Sequence, residues 1–212
     1  KIEIVNDINP FLMNFYRVLQ NKKYNLPMIL SGIEYNEKNF NISEDYKTEQ
    51  DIVLAAAKLL IRNRMSRDGN FKSYAWSNRI RKNLPEQVSS WKSTCDYLYK
   101  FQDRLQGVSL WNMDALHVIE AHKNHPKVVM LIDPPYLTET RTKNLYEFEC
   151  DDMFHKRMLE MISDCAAKVV LCSYRNDIYD SFLMHWQRYE VATKTKMGCS
   201  KKQKRIECFY VN

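Results

Sequence analysis

Hydrophobic positions follow a strand-like or a helical period along most of this chain. Residues 1–5 alternate and predict a strand, and Pro10 opens a predicted helix that continues over residues 11–20. The same period predicts further helices over residues 48–65, 85–105, 114–122, 152–164 and 176–185. Further strands are predicted over residues 108–111, 128–132, 168–173, 187–194 and 204–211.

The order of these segments predicts an α/β fold. Strands separated by helices are typical of a mostly parallel sheet, and the last two strands follow each other without a helix. That ending indicates an antiparallel C-terminal edge. Between residues 62 and 84 the hydrophobic pattern breaks down into a basic, polar stretch. A length of 212 residues suits one domain of ordinary size.

Composition and charge narrow the class of protein. A hydrophobic content of 45% excludes wholesale disorder. Lys and Arg number 32 against 26 Asp and Glu, and this surplus suits a polyanionic partner, although proteins that bind none also carry it. No apolar run approaches the roughly 18 residues of a membrane-spanning helix. Glu3, Asn6 and Asp7 interrupt the first apolar stretch, so we expect no secretory signal. We therefore expect a cytoplasmic protein with no membrane partner.

The number and spacing of the cysteine, glycine and histidine residues argue against disulfides, a glycine-rich phosphate loop and a metal site. The six cysteines contain no C-x-x-C pair, so we expect them to be reduced core residues. The four glycines are isolated, which excludes a glycine-rich phosphate loop. His117, His122 and His125 do not share one helical face, and we expect no bound metal.

The strongest chemical signal is Asp133-Pro134-Pro135-Tyr136, which directly follows the predicted strand 128–132. Ligands of open α/β sheets bind beyond the carboxyl ends of the strands. The two prolines lack backbone donors and make the turn rigid. Asp133 and the Pro134 carbonyl could both accept hydrogen bonds from one amino group, and Tyr136 could stack on a planar ring. The alternative is a strand-end turn capped by an aspartate.

Two basic segments are candidates for nucleic-acid contacts. Mixtures of cations and aromatic side chains suit phosphate contacts combined with stacking. The candidates in the first segment are Arg62, Arg64, Arg67, Lys72, Tyr74, Trp76, Arg79 and Arg81. The second segment runs over residues 194–205 and includes Lys204, and it could equally be a solvated loop.

The aspartate-proline-proline-tyrosine segment resembles the signature of amino-group methyltransferases that use S-adenosylmethionine. It is most similar to the Dam-like branch, which methylates adenine N6 in DNA. Residues 6–9 with the following helix, residues 108–116, residues 137–141 and residues 204–207 are similar to further motifs of that family. The motifs keep the family's order, and the resemblance covers nearly the whole chain.

The resemblance implies a Rossmann-like methyltransferase sheet in a single domain over residues 1–212. An insert of about residues 45–105 would recognise the target in double-stranded DNA. The enzyme would flip adenine out of the duplex, hold its amino group at Asp133-Pro134-Pro135 and stack the base on Tyr136. Cofactor-binding positions would be Asp7, Ile8, Asp114 and Asp133. Arg141 would contact phosphate or the cofactor.

Two of these assignments have alternatives. Asp7 occupies the position of an acid that binds ribose hydroxyls, but it could also serve a turn or cap a helix. Asn9 could take that capping role instead. Asp114 could cap the helix 114–122 rather than contact the cofactor's adenine.

The chain departs from the family in one motif. The family's first motif, of the type Phe-x-Gly-x-Gly, is absent, and the resemblance then implies that the first strand and the cofactor loop are missing. We expect these residues alone to bind S-adenosylmethionine weakly or not at all. The alternatives are an inactive or truncated nucleic-acid-binding relic and an amino-methyltransferase that acts on RNA or protein.

Overall fold

The structure is a computed structural model that describes residues 2–137, 147–194 and 204–212, without the side chains of residues 193, 194, 204 and 205. The chain forms two compact units, Lys1–Met113 and Asp114–Asn212, each with its own apolar core. Helices combine with small parallel and antiparallel sheets, so this is a mixed α/β protein. No helix in the described part of the chain is long and apolar enough to cross a membrane.

The first unit is mostly helical. Its elements are β1 (Glu3–Asn6), α1 (Pro10–Gln20), α2 (Leu26–Ser31), α3 (Glu37–Ile42), α4 (Ile52–Arg64), β2 (Ile80–Arg81), β3 (Leu84–Pro85), α5 (Glu86–Arg104) and β4 (Val108–Trp111). The predicted helices 11–20, 48–65 and 85–105 are confirmed as α1, α4 and α5. Helix α4 begins only at Ile52, because the Asp51 carboxylate accepts hydrogen bonds from the backbone of Val53 and Leu54 and caps the helix there.

The core of the first unit differs in detail from the amphipathic pattern. Helix α1 packs against α4, and its fully buried side chains include Met13 and Val18. On α4, the apolar side chains of Ile52 and Leu54 are exposed, whereas the small Ala56 and Ala57 are buried and suit the close approach of α1. Neighbouring helices therefore decide which side of α4 is buried.

Strands β1 and β4 are parallel, with Glu3 opposite Val108 and Asn6 opposite Trp111. Their carboxyl ends lie at the same edge of this two-stranded sheet. The residues that directly follow the strands are therefore brought together at that edge.

In its described residues, the second unit contains a four-stranded sheet and three helices. Its elements are α6 (Ala115–His122), β5 (Val129–Ile132), α7 (Asp152–Ile162), β6 (Lys168–Tyr174), α8 (Asp177–Phe182), β7 (Gln187–Lys194) and β8 (Lys204–Val211). The strand order is β5-β6-β8-β7, in which β5 and β6 are parallel and β8 is antiparallel to β6 and β7. The predicted antiparallel C-terminal edge is confirmed. Parallel pairing among the described strands is confined to β1–β4 and β5–β6, so the expected mostly parallel sheet is not found.

The two faces of the four-stranded sheet have different environments. Residues of α6, α7 and α8 form the core of this unit with one face of the sheet. The opposite face, which we call the open face, carries Val129 and Leu131, each with 73% of its surface exposed. Successive side chains alternate between the faces of a strand. Asp133, two positions beyond Leu131, therefore continues the row on the open face.

Candidate active site

Asp133 lies at the carboxyl end of the parallel strands β5 and β6. Strand β5 ends at Ile132, which pairs with Leu171 of β6, and Asp133 is the next residue. The residue is exposed, yet partial burial raises the pKa of its carboxyl, while a hydrogen bond from the Tyr136 hydroxyl acts in the opposite direction. Asp133 is thus reachable by a ligand and is a stronger proton acceptor than an ordinary aspartate.

Tyr136 makes two contacts at this site. Its hydroxyl donates the hydrogen bond to Asp133, and its ring meets the ring of Tyr174 edge to face, with centroids 4.5 Å apart and planes at 73°. Burial raises the pKa of Tyr136, and the nearby Asp133 and Glu207 carboxylates add to the effect. The hydroxyl therefore stays protonated and acts as a donor.

Three neighbours of this site were not predicted from the sequence as site residues. Tyr174 lies at the end of β6 and pairs with Glu207 of β8, and Cys172 lies two residues earlier on the same face. Burial raises the pKa of the Cys172 thiol to about 11, assisted by the charges of Asp133 and Glu207. Cys172 is therefore a neutral thiol and not a nucleophile. Tyr174 could have been found, because side chains at the carboxyl ends of adjacent parallel strands meet.

The end of β5 offers hydrogen-bond acceptors and few donors. Pro134 and Pro135 have no backbone N–H, so the Asp133 carboxylate and the carbonyl oxygens dominate the turn. An acceptor site beside a tyrosine ring suits a planar ligand that carries an amino group. No group of three or more His, Cys, Asp or Glu side chains in the described ranges is placed to hold a metal ion.

Asp7 lies in the first unit, directly after β1. One of its carboxylate oxygens accepts from the Asn9 backbone at 2.7 Å, while Asn9 itself caps α1. The side chain of Asn112, which follows β4, donates to the carbonyls of Asp7 and Ile8 at 2.8 and 2.9 Å. Asp7 thus stabilises a turn at the strand edge, and the capping role belongs to Asn9. Within the described residues, no hydrogen-bond donor contacts the second oxygen of Asp7.

Asp114 begins the second unit. Its carboxylate accepts from the Leu116 backbone at 2.8 Å and caps α6. The capping alternative is therefore confirmed for Asp114. Asp7 and Ile8 belong to one unit, and Asp114 and Asp133 belong to the other.

The first basic segment presents most of its predicted DNA contacts at the surface of the first unit. Trp76 exposes 52% of its surface. The exposed cations among the candidates are Arg64, Arg67, Lys72, Arg79 and Arg81. Strands β2 and β3 form a hairpin whose two turn residues, Lys82 and Asn83, have φ values of 53° and 60°. Both turn residues are in the left-handed region, which is the geometry of a tight type I′ hairpin turn.

Arg62 is an exception, and its assignment as a DNA contact is corrected. Only 7% of its surface is exposed, and its guanidinium lies 3.9 Å from the centre of the Phe40 ring. It donates to the carbonyls of Phe71 at 2.8 Å and Phe40 at 3.0 Å. Phe71 has a φ of 62°, which is strained for an aromatic residue. Arg62 therefore holds this turn from the inside and is not available to phosphate.

Three predicted DNA contacts remain. One of them packs inside the first unit, and the other two have no described side chain. Tyr74 is half-buried, with its ring centroid 5.6 Å from that of Tyr35 and 5.8 Å from that of Phe40. Its ring thus belongs to an aromatic cluster rather than to the surface. Arg141 lies outside the described residues, and Lys204 begins β8 without a described side chain.

Replacing Arg62 by Met is expected to lower the free energy of unfolding by about 3 kcal/mol, because two buried carbonyls lose a charged donor. Urea denaturation measures this change. Arg64→Met on the same helix is the control and should stay within about 0.5 kcal/mol of wild type, since Arg64 is exposed. Equal effects of the two substitutions would contradict the interior role of Arg62.

Comparison with known proteins adds no family assignment. No protein-family model matches the chain, and no curated protein matches it either. Conclusions about function therefore depend on the geometry around Asp133 and on the resemblance of the motifs.

Proposed function

We propose that this chain is a cytoplasmic DNA adenine-N6 methyltransferase domain that uses S-adenosylmethionine. The observation that carries the proposal is the arrangement at the end of β5, where an accessible carboxylate with a raised pKa lies beside the Tyr136 ring. This arrangement suits an aromatic amine, because the carboxylate accepts from the amino group and the ring stacks on the base. The five cysteines in the described residues are free thiols, which supports a reducing compartment.

The proposed chemistry requires a more nucleophilic amino group. The lone pair of the adenine amino nitrogen is delocalised into the ring. Hydrogen bonds from that amino group to Asp133 and the Pro134 carbonyl localise the lone pair and fix its direction. S-adenosylmethionine supplies a methyl group bound to a sulfonium sulfur, and the raised pKa of Asp133 suits it to receive the proton that the nitrogen loses.

Several residues suit S-adenosylmethionine. The second oxygen of Asp7, at the carboxyl edge of β1, is an acceptor for ribose hydroxyls, with Ile8 exposed beside it. Asp133 is a further proposed contact of the cofactor, whereas the Asp114 carboxylate caps α6. We propose that these residues alone bind S-adenosylmethionine weakly, because the glycine-containing first motif of the resembled family is absent.

We propose a Rossmann-like methyltransferase fold in which β5 has a second neighbouring strand. Two features of β5 support this assignment. Among the described strands, β5 pairs only with β6, and its side chains Val129 and Leu131 are exposed. Strands that carry ligand sites in α/β sheets are normally paired on both sides and covered on both faces.

Double-stranded DNA is the proposed partner, and residues of about 45–105 are its proposed target-recognition segment. The support is the exposed set of cations around the β2–β3 hairpin, together with the exposed Trp76. Cations contact phosphates in any sequence, and an apolar ring can act as a wedge between bases.

The decisive experiment is transfer of labelled methyl groups from S-adenosylmethionine to unmethylated duplex DNA. The expected product is N6-methyladenine, identified by mass spectrometry of the digested DNA. Matched RNA and protein acceptors should remain unlabelled. Binding to DNA without any transfer would favour the inactive relic, and label on RNA or protein would favour the other amino-methyltransferase.

Binding to duplex DNA should weaken steeply with salt, because each neutralised phosphate releases a counterion. Arg79→Ala or Arg81→Ala should each lower the slope of log K against log[salt] by about 0.9. Fluorescence anisotropy over a salt series measures that slope. Lys23→Ala, an exposed cation outside residues 45–105, is the control and should leave the slope unchanged. Identical slopes for all variants would rule out this DNA surface.

A further inference from the structure

We infer that Tyr174 is a positioning residue that fixes the Tyr136 ring for stacking on the substrate base. This inference rests on the proposed function and deepens it. Its basis is the edge-to-face contact between the two rings, with centroids 4.5 Å apart.

Tyr174 belongs to a hydrogen-bonded strand, whereas Tyr136 lies in a turn. Tyr174 is the last residue of β6, which pairs with β5 on one side and with β8 on the other, where Tyr174 is opposite Glu207. Tyr136 lies beyond the end of β5, four residues after Ile132. A side chain on a paired central strand can therefore hold the ring of a turn residue.

The contact leaves one face of the Tyr136 ring uncovered by Tyr174. In an edge-to-face pair, the edge of one ring covers a single face of the other. At least one face of Tyr136 is therefore not covered by Tyr174, whichever ring presents its edge. The Tyr136 hydroxyl also donates a hydrogen bond to Asp133, so two contacts fix the orientation of the ring.

The pair is not explained by core packing. Tyr136 and Tyr174 are half-buried, and neither belongs to the buried apolar core of the second unit. Tyr174 shares the open face with Cys172 and Glu207, because these residues alternate or pair across the ladder. The contact between the two rings therefore lies outside the core of the second unit.

The test uses duplex DNA that carries 2-aminopurine at the target adenine, whose fluorescence rises when the base leaves the stack. Tyr174→Ala should weaken capture of the flipped base about fivefold, the contribution of one aromatic pair. Tyr174→Phe keeps the ring and should remain within about twofold of wild type. In a Tyr136→Ala background, Tyr174→Ala should have no further effect, because Tyr174 acts through Tyr136.

The outcomes separate this inference from the proposed function. If Tyr174→Ala weakened base capture equally in the wild-type and the Tyr136→Ala backgrounds, the positioning role would be overturned. Base capture that is unchanged in Tyr174→Ala would overturn it as well. A wild-type chain with neither fluorescence rise nor methyl transfer would overturn the proposed function and the inference together. Tyr174→Leu, which keeps an apolar side chain but no ring, replaces the alanine variant if that variant does not fold, and the same fivefold loss is expected.

Discussion

Replacing Asp133 by Asn is expected to lower methyl transfer at least about 100-fold, the effect of removing one preorganised electrostatic contact. The folded chain should nevertheless remain as stable as wild type or become more stable. Partial burial raises the pKa of the Asp133 carboxyl, so the charged form is less favourable in the folded state than in the unfolded chain. A neutral side chain of similar shape removes that cost.

The sign of the pH dependence follows from the raised pKa. Between the unfolded and folded pKa values of Asp133, the folded state binds more protons, so its contribution to the free energy of unfolding falls as the pH rises. Above the folded-state pKa, Asp133 is ionised in both states, and the full cost of its partly buried charge lowers the free energy of unfolding. Activity should show the opposite trend, because the ionised carboxylate is the stronger hydrogen-bond acceptor and only this form can receive the proton that the amino group loses. Methyl transfer should therefore decline on acidification, with its midpoint above the ordinary aspartate value of about 3.9.

The control for Asp133 is Asp114, which also follows a strand but caps α6. Asp114→Ala should lower the free energy of unfolding by about 1 kcal/mol. Urea denaturation measures the capping role of Asp114, and transfer of labelled methyl groups measures the catalytic role of Asp133. If Asp133→Ala destabilised the protein as much as Asp114→Ala, and transfer survived, Asp133 would be the cap of a strand-end turn and nothing more.

The position of Asp133 could be predicted from the sequence, and the pairing of Tyr174 with Glu207 beside it could not. A continuous apolar run that ends in Asp-Pro-Pro identifies the end of a strand by local pattern alone, although Val129 and Leu131 of that strand are exposed. Tyr174 and Glu207 come together only because β8 returns antiparallel beside β6. Strand pairing at a sequence separation of more than 30 residues leaves no periodic signal in either segment.

Burial of polar residues in the first unit also depends on contacts that the local sequence pattern does not show. Arg62 looks like a surface cation, since three basic residues lie within six positions of the chain. Its burial depends on Phe40, in the short helix α3 that the hydrophobic pattern does not predict. The left-handed Phe71 also has no sequence signal, because glycine is the residue that normally marks such a conformation. Local capping was more predictable, as Asn9 at the start of α1 shows.

The second large effect is expected at Tyr136, where two substitutions separate the ring from the hydroxyl. Tyr136→Ala removes the stacking surface and should weaken capture of a 2-aminopurine base by about 10- to 100-fold. Association with the duplex should change little, because phosphate contacts supply most of that affinity. Equal losses of base capture and duplex association would show that Tyr136 is not the stacking residue.

Tyr136→Phe keeps the ring and removes only the hydroxyl. Base capture should be retained or improved, because the hydroxyl no longer competes with the amino group for the Asp133 carboxylate. The same hydrogen bond lowers the pKa of Asp133, so its removal raises that pKa further. The acidic limb of the activity profile should therefore move to higher pH, while Tyr174→Phe, which leaves the Tyr136 hydroxyl in place, should not move it. A profile that is unchanged in Tyr136→Phe would mean that the hydroxyl and the carboxylate are not coupled during the reaction.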